Sequence, residues 1–369
     1  MNSADVLVNA FIPAVLTAVA WWLPSLTRPT LPFGVRSPDA RADAPAIAEQ
    51  RRQYRRQVAA SGAVLVTIGV LVSSVFRFDM PGVIPLLTVA ACLAAYSRAR
   101  VAVMAVKRRE DWYGGLRQGV VADTALHTDP ERFPWIWAVP ALLICIGTTV
   151  LGVLRYPSLP DRIPVHFTGS GSADRFAARS IGTAFFPVFA QAALTVLLLA
   201  LTWLSFRARA DLDPARPADS ARRHRRFSVR TAISLLLLAG FANLSLLAGA
   251  WGMWHADQRV SPALILLPIL AGLVVVIGIA VRTGQGGSRL RLPVQDGAVT
   301  EESTGIVRRD DDQYWRLLGS VYVNRADPAL LVQKRFGIGW TVNFGNPRGV
   351  VLLLGLILTP VLIVPLLLH

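Results

Sequence analysis

The chain has 369 residues, of which 53% are hydrophobic and only 17% are charged. An average soluble domain carries about 25% charged residues, so this composition argues against a soluble enzyme and for a bilayer-embedded chain. The net charge of +15 does not call for nucleic acid, because cytoplasmic loops of membrane proteins hold excess Arg and Lys and lie against anionic lipid heads.

A helix needs roughly 20 apolar residues to cross the hydrocarbon core. Eight candidate spans follow in chain order: residues 6–26, 58–76, 81–96, 134–154, 183–206, 231–254, 261–281 and 350–368. The third is the shortest and extends toward Val106. The first is preceded by no basic segment and followed by no small-residue cleavage site, so it reads as a span and not as a removable signal. The fold expected is an all-α membrane protein: an eight-helix transmembrane bundle with a small cytoplasmic β-rich module before the last helix. The expected sections are an N-terminal three-helix membrane region (1–133), a two-helix unit with a structured outer loop (134–206), a further helix pair (207–281), the β-rich module (282–348) and the last helix (349–369).

The connections support that threading. Their Arg and Lys counts run 7, 1, 7, 4, 8, 1 and 10 in chain order, so alternate connections carry 32 against 6. Basic connections stay in the cytoplasm. The expectation is a multi-pass plasma-membrane protein with both termini outside.

No Asp, Glu, Lys, Arg or His falls in the middle of a span. Ion-coupled carriers and pumps generally need such charges. The most polar interior residues are Gln191 and Asn243, read as interhelical hydrogen-bonding groups worth about 1 kcal/mol each. Cys92 and Cys145 lie in apolar runs and read as small core residues. HExxH, GxSxG and phosphate-loop patterns are absent. Gly284, Gly286 and Gly287 read as a flexible loop. The histidines show no metal-ligand spacing. No enzymatic activity, cofactor or metal is expected.

Two connections are dense in order-imposing residues. In 156–180, Pro157, Pro160 and Pro164 favour extended backbone, residues 163–167 alternate as a short strand, and Gly169 and Gly171 permit a turn. Asp174 is expected to cap a short helix leading into the fifth span. Asp161, Arg162, His166, Asp174 and Arg175 are the candidate ligand- or partner-binding residues; a hydrogen-bonded loop with one histidine is the competing reading. In 310–347, three β-prone runs (320–323, 329–334 and 340–344) are separated by turn residues and suggest a meander, with Gly337 and Gly339 at a bend. Lys334, Arg335, Trp340 and Asn343 are its candidate surface for a cytoplasmic regulator; a small sheet packed on neighbouring loops is the competing reading. Residues 50–57, rich in arginine, read as a helix lying along the lipid surface.

The pattern Leu159, Pro160, Ile163, Pro164, His166, Phe167, then Gly171, then Asp174 and Arg175 resembles the loop of the bacterial SdpI-type immunity and sensor membrane proteins, a domain of unknown function in which the loop also joins two spanning helices. Residues 310–347, with their Arg-Phe-Gly-Ile-Gly-Trp-Thr-Val-Asn-Phe stretch, resemble a second bacterial domain of unknown function found in long relatives of that group. The resemblance implies peptide-toxin immunity or envelope-signal sensing, with the bilayer, a secreted peptide or toxin outside and a cytoplasmic regulator inside as partners, and no nucleic acid. The alternative carried from the spans alone is a transporter or exporter of an apolar or amphipathic compound.

Overall fold

The computed structural model describes residues 7–72, 82–168, 171–255, 259–291, 302–337 and 339–368. Among them are eight long helices: α1 (Ile12–Leu26, entered through a π-turn), α2 (Pro45–Leu71), α3 (Val83–Arg109), α4 (Val139–Arg155), α5 (Ile181–Phe206), α6 (Pro217–Trp254), α7 (Pro262–Thr283) and α8 (Pro347–Leu368). Six stretches, built on α1 and α3 to α7, are long and apolar enough to cross a membrane. The chain is thus mostly helical with the character of a multi-pass membrane protein. The ends of the second and third expected spans, around Phe76 and Pro81, lie outside the described residues, as do Gly169 and His369.

The chain forms two compact units. The first comprises residues up to 123, 209–223 and 284–346; the second comprises 124–208, 224–283 and the segment from 347 on.

In the first unit α2 shows how pattern becomes packing. Its buried positions are Ile47, Tyr54, Val58, Gly62 and Gly69, which fall on one helical face. That face continues without a break from the charged N-terminal half into the apolar half. The arginine-rich stretch 50–57 is therefore part of a 27-residue helix and not the separate surface helix expected. Tyr54 and Tyr96 of α3 meet Phe33 edge-to-face, at 5.4 and 5.5 Å between centroids. Val58, Ala95, Ala99 and Val103 complete this core.

Among the described residues the same unit holds three two-stranded sheets. β1 (Gln118–Gly119) pairs in parallel with β4 (Val307–Arg308). β5 (Trp315–Arg316) pairs with β6 (Val321–Tyr322), and β7 (Leu331–Gln333) pairs with β8 (Trp340–Val342). The three β-prone runs do become strands, but not a simple meander. β6 takes β5 as its ladder partner and meets the β7–β8 hairpin through a Tyr322–Asn343 bridge, the Phe344 N–H donated to Tyr322 O, and the packing of Tyr322 with Val332. A left-handed turn at Leu317, Leu318 and Gly319 folds β6 back on β5.

In the second unit β2 (Arg162–Phe167) and β3 (Ala173–Ala178) form an antiparallel hairpin between α4 and α5. Leu159 and Ile163 beneath it pack on Ala184, Val188, Ala250, Met253 and Trp254. Asp174 lies within β3 and caps no helix. Ser180 is the N-cap of α5, its hydroxyl accepting from Thr183 N–H, because the strand continues past Asp174 and leaves the chain extended up to Ser180.

The contacts of the connections follow the arginine alternation. The connections after α1, α3, α5 and α7 meet one another within the first unit, for example through Arg28–Asp211, Arg36–Asp311 and the β1–β4 pair. The connection after α6 meets the one after α4 within the second, where Val260 N–H donates to Gly171 O at 2.8 Å and Ser172 bridges Arg259.

Candidate functional site

The hairpin divides its residues between packing and display. Ile163 is fully buried and Leu159 nearly so. Gly171 adopts φ +85°, and a Cβ there would lie 2.0 Å from Val260 O. Only glycine accepts both that backbone and that approach. Pro164 on β2 and the register shift beside it interrupt the outer edge against further strand pairing.

The polar candidates face solvent. His166 Nδ1 lies 2.5 Å from Asp174 Oδ1, with the two side chains 48% and 41% exposed. The histidine contact holds the Asp174 carboxyl below its ordinary range. Arg175 stands opposite His166 in register and is exposed. Arg162 reaches Phe176 O at 3.4 Å. Asp161 accepts the Arg179 N–H through its backbone oxygen at 2.8 Å, leaving its side chain 98% exposed. The hairpin thus presents His166, Asp174, Arg175 and Arg162 together, with exposed Val165 and Phe176 beside them. Among the described residues, no group of three or more metal-ligating side chains forms.

The β-rich module behaves differently. Arg335 is 1% exposed. It pairs with Asp311 and Asp312, donates to Gly34 O at 3.3 Å and lies over the Trp315 ring. Asn343 is fully buried. Its amide donates to Asn324 O and Asp327 O, and its oxygen accepts from Asn324 N–H and Gly345 N–H. These two residues are interior clamps, which corrects their assignment to the module surface: a guanidinium this deep must be matched by carboxylates. Lys334 and Trp340 are partly exposed, and Lys334 O accepts from Gln285.

Arg335 belongs to a network that sequence reasoning missed. Arg28, Arg36, Lys107, Arg308 and Arg335 share Asp211, Asp213, Asp310, Asp311 and Asp312, five cations to five carboxylates, and Arg209 pairs separately with Asp327. Asp211 is the hub. Burial opposes its ionisation, yet Arg36, Arg28 and Arg308 hold its carboxyl far below the usual range. Burial likewise opposes ionisation of Asp312, and Arg335 and Lys107 bring it down to about 2. Burial lowers the Arg28 guanidinium to about 10 against the pull of Asp211. Gln285 completes the fit: it accepts from Arg28 N–H at 3.1 Å and donates to Lys334 O at 2.7 Å. The neighbouring Gly286 has φ +60°, and a Cβ there would strike the Arg28 guanidinium at 1.6 Å. The Gly-Gln-Gly-Gly segment is therefore an ordered socket and not the loose loop expected. Two small cavities beside Asp211 measure about 40 and 20 Å³, space for a water or two.

Gln191 and Asn243 make the interhelical bonds expected of them. Gln191 donates to Thr148 Oγ1 at 3.0 Å and to Asn243 O at 2.8 Å; Asn243 donates to Ala141 O and Thr195 Oγ1, both at 2.9 Å. They tie α4, α5 and α6 together.

Two family models match parts of this chain. Residues 143–190 match the Domain of unknown function (DUF1648). Residues 325–350 match the Family of unknown function (DUF5808). No match was found among the curated proteins or among the solved structures. The first matched stretch runs from within α4 through the whole hairpin into α5. The second holds Asp327, Arg335 and Asn343. The chain is therefore similar to unknown-function domains in the two places where β structure is best developed.

Proposed function

We propose that the chain is a bacterial plasma-membrane protein that meets a secreted peptide or envelope signal on its 156–180 hairpin, as immunity and signal-sensing proteins of the SdpI type do, and that it is not an enzyme. The observation that carries this reading is the division within the hairpin: Leu159, Ile163 and Gly171 are consumed by packing, whereas His166, Asp174, Arg175 and Arg162 stand together in solvent with no folding task that requires their charge. The hairpin and the module are separated by three crossings in the eight-span reading, so they fall on opposite sides, with the hairpin and both chain ends outside. The contacts among like connections support that threading, because connections that meet must share a side. A cytoplasmic regulator would then meet the module through Lys334, Trp340 and their exposed neighbours, since Arg335 and Asn343 are committed inside.

The test is protection. A sensitive host, with and without the chain, is challenged with a panel of secreted membrane-active peptides. The reading expects a raised inhibitory concentration for at least one peptide, lost in the His166→Ala, Asp174→Ala double variant at equal membrane abundance. Protection that survives the double variant, or no protection against any peptide, contradicts it.

A further inference from the structure

At the end of α1 two arginines from distant parts of the chain converge on one serine. Arg55 of α2 donates to Ser25 Oγ at 2.6 Å. Arg289, six residues past the end of α7, donates to Ser25 O. Arg55 also lies over the Trp21 ring, 4.9 Å from its centroid. Among the described residues Arg55 makes no ion pair, and its Nε is closed off from solvent without an acceptor. The Ser25 hydroxyl accepts from Arg55 and has its own proton to give. In this Arg55 differs from the cations of the Asp211 network in the same unit, each of which has its carboxylate.

Depth supplies the second half of the argument. Trp21 and Trp22 are 40% and 53% exposed in the last turns of an apolar helix. Tryptophan there settles at headgroup level. Guanidinium groups bind phosphate through paired N–H donors, and basic pockets between spanning helices take anionic headgroups. We propose that Arg55, Arg289 and Ser25 form a binding site for the phosphodiester of an anionic phospholipid, with Trp21 packing against its glycerol and acyl portion. The site is independent of the hairpin reading and requires only that α1 cross the bilayer.

The competing account is that the two arginines merely fasten helix ends, since arginine commonly satisfies last-turn carbonyls. Thermal unfolding of the full chain in lipid nanodiscs separates the two. Discs are made of phosphatidylcholine alone, of phosphatidylcholine with phosphatidylglycerol, or of phosphatidylcholine with inorganic phosphate in the buffer. The proposal expects phosphatidylglycerol to raise the midpoint by several degrees. That rise should vanish in Arg55→Gln, Arg289→Gln and persist in Arg52→Gln, Arg56→Gln, which removes equal charge from the exposed side of α2. Inorganic phosphate should not replace the lipid. An equal lipid-dependent rise in both double variants, or no rise in the unmodified chain, overturns the site. A rise produced by inorganic phosphate alone overturns the lipid as its occupant.

Discussion

The hairpin at 156–180 and the module at 302–346 are both small β structures set between helices, yet they treat charge in opposite ways. The hairpin buries Leu159, Ile163 and Pro164 and displays His166, Asp174 and Arg175. The module draws Asp311, Asp312 and Arg335 inside and binds them to Arg36 from another connection and to Lys107 from the end of α3. Charge removed from water and matched tells of assembly. Charge left in water on a rigid support is available to a partner. A candidate list drawn from residue type alone mixes the two, and burial separates them.

That contrast can be broken at several points. Asp211→Ala should be the most damaging single change. It strips the shared carboxylate from buried Arg28 and Arg36 and from Arg308, and breaking a buried pair from one side costs about 3–5 kcal/mol. The expected result is a large fall in the thermal midpoint in detergent; a fall no greater than that of an exposed arginine variant would show that the network holds nothing together. Acid should act on the same network. The Asp312 carboxyl is depressed to about 2 from an ordinary 3.8, so its contribution is fully present above the ordinary value and is lost as the pH falls through the depressed one. Stability attributable to the module should therefore be flat from pH 8 to about 5 and decline only below about 4. Hydrogen exchange of residues 307–342 across that range checks it, and loss of protection already near pH 6 would contradict it.

Smaller effects sharpen the hairpin side. Gly171→Ala meets both an unfavourable backbone and the Val260 carbonyl, and should cost about 1–3 kcal/mol, read as a lowered midpoint and as protease cleavage near Arg175. Gln191→Ala should cost about 1 kcal/mol, since it removes two bonds among α4, α5 and α6. His166→Ala should leave the midpoint unchanged while abolishing protection. A midpoint lowered as much as by Gly171→Ala would make the histidine a structural residue.

Much of the helical plan was legible because periodicity and length are local signals. Each expected run holds one long helix, but α2, α3 and α6 extend well beyond theirs into charged sequence; in α2, Ile47 and Tyr54 carry the buried stripe there. The strand at 162–167 and the turn at Gly171 were likewise legible from proline and glycine placement. Asp174 was misplaced because an aspartate before an apolar run looks like a cap, whereas the chain stays extended until Ser180. The Asp211 network was not legible. Arg28 and Asp211 stand 183 positions apart, Lys107 and Asp312 stand 205 apart, and Arg36 and Asp311 stand 275 apart; no period links them. One signal was present: Asp310, Asp311 and Asp312 form three consecutive carboxylates in a strongly basic stretch, an arrangement that repels itself unless cations from elsewhere are brought to it.

The proposed function requires the two β structures to face opposite sides of a membrane, and this can be tested directly. With Cys92 and Cys145 replaced by alanine, single cysteines at Arg175→Cys and Arg316→Cys are exposed to a membrane-impermeant thiol reagent on intact cells. Labelling at 175 without lysis, and at 316 only after lysis, is the expected result. Labelling of 316 on intact cells with 175 protected would contradict it.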